Sequence, residues 1–409
     1  MVSLLCLVAL LFPLSATSSA GFDVQPFRVD LGHEVAHMKA LVQNTRLPDK
    51  PLYPEASIEF GMELDVLRDL QTKWLNDYDW AKQEATLNEL PQFTVTIEGQ
   101  SVHFVHAKSE EPDAIPMLLL HGWSGSFQEF LPVVKPLTQS WTSPNGTRIS
   151  FDVIVPSLPG FIFSSPPPQN WTNADTARIF NKLMVNVLGY STYSLHGTDW
   201  GSSVGYILYS TFNTTVRAAH FNLLPFIAPD PQSLNITLTD IEKVTVQRSL
   251  DFRATGLAYN MEQAFKPNTI GLALYDNPIG QLSWIGSNIL LCKVRPPALG
   301  PRPRCSPTRP SLTMVSLYTL THTFQSSVWI YEQNPNGFSA DYVKPATDAP
   351  MGYSLFEYEL QFTPRDYVEK VAGKLVSYKE HDFGGHFAGL DNPPALVEDL
   401  RELGLYFGS

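Results

Sequence analysis

Tyr193-Ser194-Leu195-His196-Gly197-Thr198-Asp199-Trp200-Gly201-Ser202 is the stretch whose reading decides the fold. Ser194 and Leu195 run as a strand into a Gly-rich turn, and Ser202 to Phe212 behind it read as a helix. Strand, then small–x–apex–x–small, then helix is the pattern of a nucleophile elbow, which lifts one side chain above the end of a sheet. Gly197 and Gly201 are required because so tight a turn leaves no room for side chains beside it. The apex residue is Asp199, a carboxylate where such a turn more often carries a hydroxyl.

Working outward, apolar runs at Met117 to Leu120 and Val153 to Val155 read as strands, and Phe127 to Leu137 and Thr176 to Leu188 as helices. Strands alternating with helices predict an α/β fold with a mostly parallel, doubly wound sheet. Upstream, Leu31 to Leu47 and Ile58 to Asp79 are helical, the latter amphipathic with Met62, Leu64, Leu67, Leu70 and Trp74. Phe93 to Ile97 and Val102 to His106 alternate as a hairpin across Glu98-Gly99-Gln100. Residues 225–345 break the rhythm, being helical and rich in Pro and aromatics, and read as an insertion. Lys374 to Tyr378 then resumes as a strand, and Ala395 to Phe407 closes as a helix. The expected organisation is a leader at 1–20, a lead-in at 21–100, a core in two parts at 101–224 and 346–409, and an inserted helical block at 225–345.

Two further motifs stand at strand ends. Leu118-Leu119-Leu120-His121-Gly122-Trp123-Ser124-Gly125-Ser126 is a strand followed by a glycine-containing loop. In α/β-hydrolases a loop of this kind supplies one backbone N–H to the oxyanion hole. Gly122-Trp123-Ser124-Gly125-Ser126 also imitates an elbow with Ser124 at its apex. Two observations count against that reading: the loop is followed by another strand at 153–155 and only then by the second elbow, so it stands where an oxyanion loop belongs, and Asp199 would otherwise have no task. His381-Asp382-Phe383-Gly384-Gly385-His386-Phe387 follows the late strand, and His386 suits the last member of a nucleophile–acid–histidine order. For the acid, Glu359 in Phe356 to Leu360 has rivals in Glu357, Asp366 and Asp341, and spacing alone does not choose among them.

The chain of 409 residues is 44% hydrophobic, 12% aromatic and 17% charged, so it can bury a large core, which excludes a disordered protein. Forty acidic against twenty-eight basic residues leave a net charge of −12, which excludes a nucleic-acid partner of the phosphate-gripping kind. Three cysteines exclude a disulfide scaffold and a cysteine-based zinc site. Residues 2–14 are apolar and uncharged but too short to span roughly 30 Å of hydrocarbon. With Ser18-Ser19-Ala20 before Gly21 they read as a secretory signal, the alternative being a membrane anchor of the endoplasmic reticulum. Asn-x-Ser/Thr sequons at Asn145, Asn170, Asn213 and Asn235 agree with secretion. If Cys6 leaves with the signal, Cys292 and Cys305 remain as a pair bracketing a Pro/Arg-rich stretch that a disulfide would close.

From about residue 22 to 407 the chain resembles the epoxide hydrolases of the microsomal type. Gln25-Pro26-Phe27 through Thr45-Arg46-Leu47-Pro48 resembles the family's N-terminal meander, and His121-Gly122-Trp123 its oxyanion loop. Gly197-Thr198-Asp199-Trp200-Gly201 resembles its aspartate elbow, and Gly384-Gly385-His386-Phe387-Ala388 its histidine loop. Tyr358-Glu359-Leu360 with Thr363-Pro364 resembles the acid segment, which favours Glu359. By the same resemblance Tyr259, ahead of Phe265-Lys266-Pro267, and Tyr331, in Ile330-Tyr331-Glu332, match the two tyrosines of a helical cap. The chain departs from the family at Ser124, where Pro is usual, and in the Cys292–Cys305 segment.

The resemblance implies an α/β-hydrolase fold with cap and meander, and hydrolysis of a hydrophobic epoxide to a vicinal diol. Asp199 would be the nucleophile, His386 the base oriented by Glu359, Tyr259 and Tyr331 the proton donors, and Trp123 and Trp200 the oxyanion N–H groups. No metal or organic cofactor is needed, membrane association is not expected, and a monomer or a homodimer is compatible. The rival activities are haloalkane dehalogenase, which would hold halide with Trp or Asn donors rather than two cap tyrosines, and serine esterase. A catalytically inactive binding protein would be expected to lack a triad member, and none is missing.

Overall fold

The computed structural model describes residues 21–55, 60–226, 236–291, 308–338, 344–361, 363–371 and 373–408. The expectations for the leader, Cys292 and Cys305, Asn235 and Asp341 fall outside these residues.

The strands are β1 (Gln25–Phe27), β2 (Gln92–Ile97), β3 (Gln100–Ala107), β4 (Ile115–Leu120), β5 (Trp141–Thr142), β6 (Arg148–Ile149), β7 (Phe151–Pro156), β8 (Tyr193–Gly197), β9 (Val216–Phe221), β10 (Pro350–Tyr358) and β11 (Lys374–Gly385). Nine of them form one sheet in the order β1-β2-β3-β7-β4-β8-β9-β10-β11, with β5 and β6 a separate ribbon. From β1 to β7 the pairing is antiparallel, and from β7 to β11 it is parallel. Strands β4 and β7 are apolar almost throughout, and β4, β7 and β9 are nearly wholly buried, as strands covered on both faces must be. Helix Leu131–Thr138 packs on Pro393–Gly404, and Asn173–Lys182 on Asp199–Thr211, to form the covering layers.

This order places the site. The chain leaves β4 for β7 on one side and returns to β8 on the other, so β4 and β8 flank a topological switch point, where open α/β sheets form their crevice. Leu120 pairs with Gly197, so the 121–125 loop and the elbow emerge side by side.

Between β9 and β10 the described residues form helices and no strand: Asp240–Asp251, Ala258–Phe265, Pro267–Ala273, Pro278–Leu291, Thr308–Leu320 and Phe324–Gln333. The lead-in helices Val35–Asn44 and Leu64–Asn76 pack against Pro278–Leu291 and Thr308–Leu320. Trp74 Nε1 donates to Ser316 Oγ at 3.1 Å and the Tyr78 hydroxyl to Thr313 Oγ1 at 3.3 Å. Burial pushes the Tyr78 phenol up to about 12.

Some boundaries differ from expectation. The helix expected from Ile58 begins at Leu64, because Gly61 lies in the left-handed region (φ +106°) and Glu63 is extended. The strand expected at Lys374 to Tyr378 runs on to Gly385 through Lys379-Glu380-His381-Asp382. It is the sheet edge, where partly exposed polar side chains are tolerated and hide a strand from hydropathy.

Gly201 shows how little space the elbow allows. A Cβ there would overlap the backbone carbonyls of Leu120 and His121, which cannot move without shifting β4. Gly201→Ala is expected to destabilise the fold by about 2–3 kcal/mol, the scale of overpacking a core. Gly32→Ala, whose Cβ meets nothing within 4 Å, is expected to change stability by under about 0.5 kcal/mol. Urea unfolding of the two variants is the measurement.

Candidate active site

Asp199 opens helix Asp199–Thr211 with φ +46°, a left-handed conformation that an L-residue adopts only under constraint. Packing of Gly197 against Gly201 and of Gly201 against β4 supplies that constraint. The carboxylate is buried (7% exposed) and held on two sides. Trp123 N–H donates to Oδ1 at 2.7 Å, and His386 Nε2 lies 3.1 Å from Oδ2. Trp200 follows in the first helical turn. The first ladder bond of that helix is Ser202 N–H to Thr198 O, so the Trp200 N–H precedes the ladder.

His386 stands directly after β11, with Nδ1 2.6 Å from Glu359 Oε1. Glu359 is wholly buried just past the end of β10, and its other oxygen accepts from Asn222 Nδ2 at 2.9 Å. Leu360 N–H donates to Oε1 at 2.7 Å. Thr198 Oγ1 donates to the His386 carbonyl at 3.0 Å, tying the elbow to the histidine segment. Burial alone would lower the imidazole pKa, but the Glu359 and Asp199 carboxylates outweigh it and hold it well above 6.5. Carboxylate oxygens only accept, so an imidazolium, with a donor on each nitrogen, satisfies both.

His121 is a different kind of histidine. Leu158 N–H donates to its Nε2 at 3.1 Å, so Nε2 is unprotonated and Nδ1–H is left to donate to the Gly122 carbonyl at 3.1 Å. Burial lowers its pKa to about 4. It is a neutral brace for the loop.

Tyr259 and Tyr331 arrive from helices Ala258–Phe265 and Phe324–Gln333. Tyr259 stacks on Trp123 with ring centroids 5.3 Å apart, and Tyr331 packs edge-on against Trp123 at 5.9 Å and Trp200 at 4.9 Å. The two tyrosine rings are 6.0 Å apart. Burial, with the charge of Asp199 nearby, pushes the Tyr331 phenol well above its ordinary value, so it is held neutral.

All seven sequence candidates therefore converge on the carboxyl ends of β4, β8 and β10, the end of β11, and the helices above them. Of Glu359's rivals, Glu357 lies within β10 and Asp366 is exposed on helix Arg365–Val371. Ser124 is buried and its Oγ has no hydrogen-bond partner among the described residues, whereas a serine nucleophile needs a base beside it. The Trp123–Ser124 peptide is cis. Sequence reasoning missed Asn222, although a polar residue just past a core strand is a legible signal. It also missed Thr198, Glu129 and Tyr318, the last donating to the Gly125 carbonyl at 2.7 Å.

Fold and site define an α/β-hydrolase with Asp199, His386 and Glu359 hydrogen-bonded in a row at its switch point. Residues 24–130 match the family described as epoxide hydrolase N terminus, and residues 115–268 the alpha/beta hydrolase fold. The chain is 34% identical to the solved Aspergillus niger epoxide hydrolase, covering 96% of this chain and 98% of that one with a TM-score of 0.81. The juvenile hormone epoxide hydrolase of the silkworm Bombyx mori is 25% identical, at 94% coverage of each chain and a TM-score of 0.77. Epoxide hydrolase 1 of Oryctolagus cuniculus is 30% identical over 92% of this chain and 88% of its own length. The chain belongs to the epoxide hydrolase family, in its microsomal type, and is an enzyme whose substrates are an epoxide and water.

The charge arrangement has a measurable consequence. His386 is expected to titrate above 6.5 in the free enzyme, and Asp199→Asn, which removes one of the raising carboxylates, to lower that value. A raised folded-state pKa stabilises the fold at pH values below the unfolded pKa and loses that contribution as pH rises through the folded one. Imidazole ¹⁵N NMR and thermal unfolding across that range provide the check.

Proposed function

We propose that Asp199 attacks the less hindered carbon of a hydrophobic epoxide and that His386, oriented by Glu359, then drives hydrolysis of the resulting ester. The observation carrying this reading is the placement of His386 between the nucleophilic carboxylate and a second, buried one. Oδ1 is already held by Trp123 N–H, so Oδ2 is the attacking oxygen and Oδ1 becomes the ester carbonyl. As the carbon–oxygen bond of the ring breaks, the developing alkoxide takes a proton from Tyr331 or Tyr259. A carboxylate suits this task, since displacement at carbon yields an ester that water can open on its acyl side.

Ester formation cancels the charge of Asp199. One of the two influences raising His386 is lost, and the imidazole releases its proton to solvent and becomes a base. Neutral His386 takes a proton from water as the hydroxide oxygen bonds to Cγ of Asp199. The oxyanion on Oδ1 rests on the N–H groups of Trp123 and Trp200. Collapse breaks the acyl–oxygen bond, and the departing alkoxide takes the proton from His386. The carboxyl proton returns to the tyrosinate. His386 then regains from solvent the proton it released, so the free enzyme is restored and epoxide and water have become a vicinal diol.

The helical block at 225–345 is read as a cap, supported by the stacking of its Tyr259 and Tyr331 on Trp123 of the core. The lead-in at 21–100 is read as a meander around that cap, and 101–224 with 346–409 as the hydrolase core. The aromatic cluster of Trp123, Trp200, Tyr259, Tyr331 and Phe338 beside Asp199 suits apolar epoxides, to be ranked with terpene, styrene-type and fatty-acid epoxides by chiral product analysis. Secretion is read from the leader and the sequons. Among the described residues no helix is long and apolar enough to cross a membrane.

Asp199→Ala is expected to abolish diol formation while Ser124→Ala keeps most of it. Mass spectrometry of His386→Gln with substrate is expected to show ester mass on the peptide holding Asp199. Ample turnover by Asp199→Ala would refute the mechanism. Expressed through a secretory pathway, the protein is expected to carry glycans at Asn145 and Asn170, which are exposed, and not at Asn213, whose Nδ2 donates to the Ala346 carbonyl at 2.9 Å. Glycopeptide mapping reads this out, and an unmodified Asn145 and Asn170 would count against secretion.

A further inference from the structure

Glu129 is a buried carboxyl beside the site that the mechanism above leaves idle. It lies in the single turn Phe127–Phe130 that follows the 121–125 loop, and it is 1% exposed. Neither of its carboxyl oxygens has a hydrogen-bond partner among the described residues. Its position is set from two sides. A Cβ on Gly125 would overlap its Oε2, so the carboxyl fills the space above the oxyanion loop. Its backbone carbonyl packs against Gly389, in the short helix behind His386. From there it interacts electrostatically with Asp199 and with His386.

Leaving a buried polar group unpaired costs about 1–3 kcal/mol, and a residue of similar shape such as Leu would avoid that cost. A carboxyl kept at such a position needs a partner that no described side chain supplies. Burial first, then the charge of Asp199, holds its pKa well above the usual carboxyl range. It is therefore a neutral acid, with one carbonyl acceptor and one O–H donor to offer. The reaction, read as an Asp199 ester, requires a water with two protons to place. One must point at His386 Nε2, and the lone pair must face Cγ of Asp199, which leaves the second proton needing an acceptor.

We propose that Glu129 binds the hydrolytic water, accepting its second proton in a hydrogen bond while His386 removes the first. The proposal rests on the Asp199-ester reading and concerns its second half alone. Glu129 exchanges no proton in the step. The water O–H toward His386 breaks, the new bond forms to Cγ, and the proton facing Glu129 stays on the attacking oxygen. A water tethered at two points presents its lone pair in one direction, and misplacement by about 1 Å is worth roughly a hundredfold in rate.

The test uses the full-length enzyme with styrene oxide as probe, in rapid-quench single turnovers with the ester on the Asp199 peptide quantified by mass spectrometry. In Glu129→Leu, ester formation is expected to stay within about twofold, and ester hydrolysis to fall between tenfold and a hundredfold. The ester then accumulates, and kcat and KM fall together. Glu129→Gln keeps a carbonyl acceptor of the same reach and is expected to recover hydrolysis to within about threefold of the natural enzyme. The thermal midpoint of Glu129→Leu is expected not to fall, since an unpaired polar group is replaced by an apolar one. Hydrolysis at the natural rate in Glu129→Leu, an equal loss of both steps, or a Glu129→Gln variant as slow as Glu129→Leu would each overturn the proposal. The His386→Gln control separates the two levels. Ester on Asp199 there leaves the reaction intact, so failure in the Glu129 variants falls on Glu129 alone, whereas absence of ester overturns the Asp199 reading and this proposal with it.

Discussion

One carboxylate gripped from two directions orders the rest of the molecule. Asp199 must stand at the tip of a turn, in a left-handed conformation, with Oδ1 on a backbone N–H of one loop and Oδ2 on an imidazole of another. Each grip comes from a different strand end, so β4, β8 and β11 must keep their relative heights to within hydrogen-bond tolerance. The parallel pairing of β4 with β8, and Thr198 reaching across to the His386 carbonyl, hold those heights.

Beneath the site a buried polar chain crosses the same strands. His196 Nδ1 lies 3.0 Å from His220 Nδ1, and His220 Nε2 lies 2.9 Å from Ser354 Oγ. Ser354 donates to Asp399, whose carboxylate also meets His381 Nε2 at 2.6 Å. Burial lowers His196 to about 3 and His220 well below its ordinary value, so both are neutral links and not charges. The chain joins β8, β9, β10, β11 and the last helix, the elements that carry or flank Asp199, Asn222, Glu359 and His386. Above the site, Trp74 and Tyr78 of the lead-in hold helix Thr308–Leu320, whose Tyr318 holds the Gly125 carbonyl. The lead-in thereby reaches the 121–125 loop through one helix of the block between β9 and β10.

Much of the site was legible because its parts are local. The elbow, the His121-Gly122-Trp123 loop and the Gly384-Gly385-His386 segment each announce themselves within ten residues, through glycine spacing that a tight turn requires. Glu359 was not legible from spacing, because Glu357, two residues away, has the same chemistry. Which of them leaves the strand depends on where β10 stops, at Tyr358. Tyr259 and Tyr331 look like any of the sixteen tyrosines until two helices are packed over Trp123, and only the resemblance to a family singled them out. The extension of β11 to Gly385 was hidden by its charged residues, which an edge strand tolerates. Glu129 carried no signal beyond standing between Phe127 and Phe130 in a buried turn.

The sequence by itself determined the α/β rhythm, the glycine-flanked turn that carries Asp199, and the loops that carry Trp123 and His386, because those depend on backbone sterics and on periodicities of a few residues. Tertiary structure alone decided which carboxylate meets His386, that His121 is a neutral brace, and that Glu129, beside Asp199 and His386, has no hydrogen-bond partner among the described residues. Those outcomes depend on distances between residues tens to hundreds of positions apart and on the removal of water around them. Neither quantity exists until the sheet and the helices above it have closed.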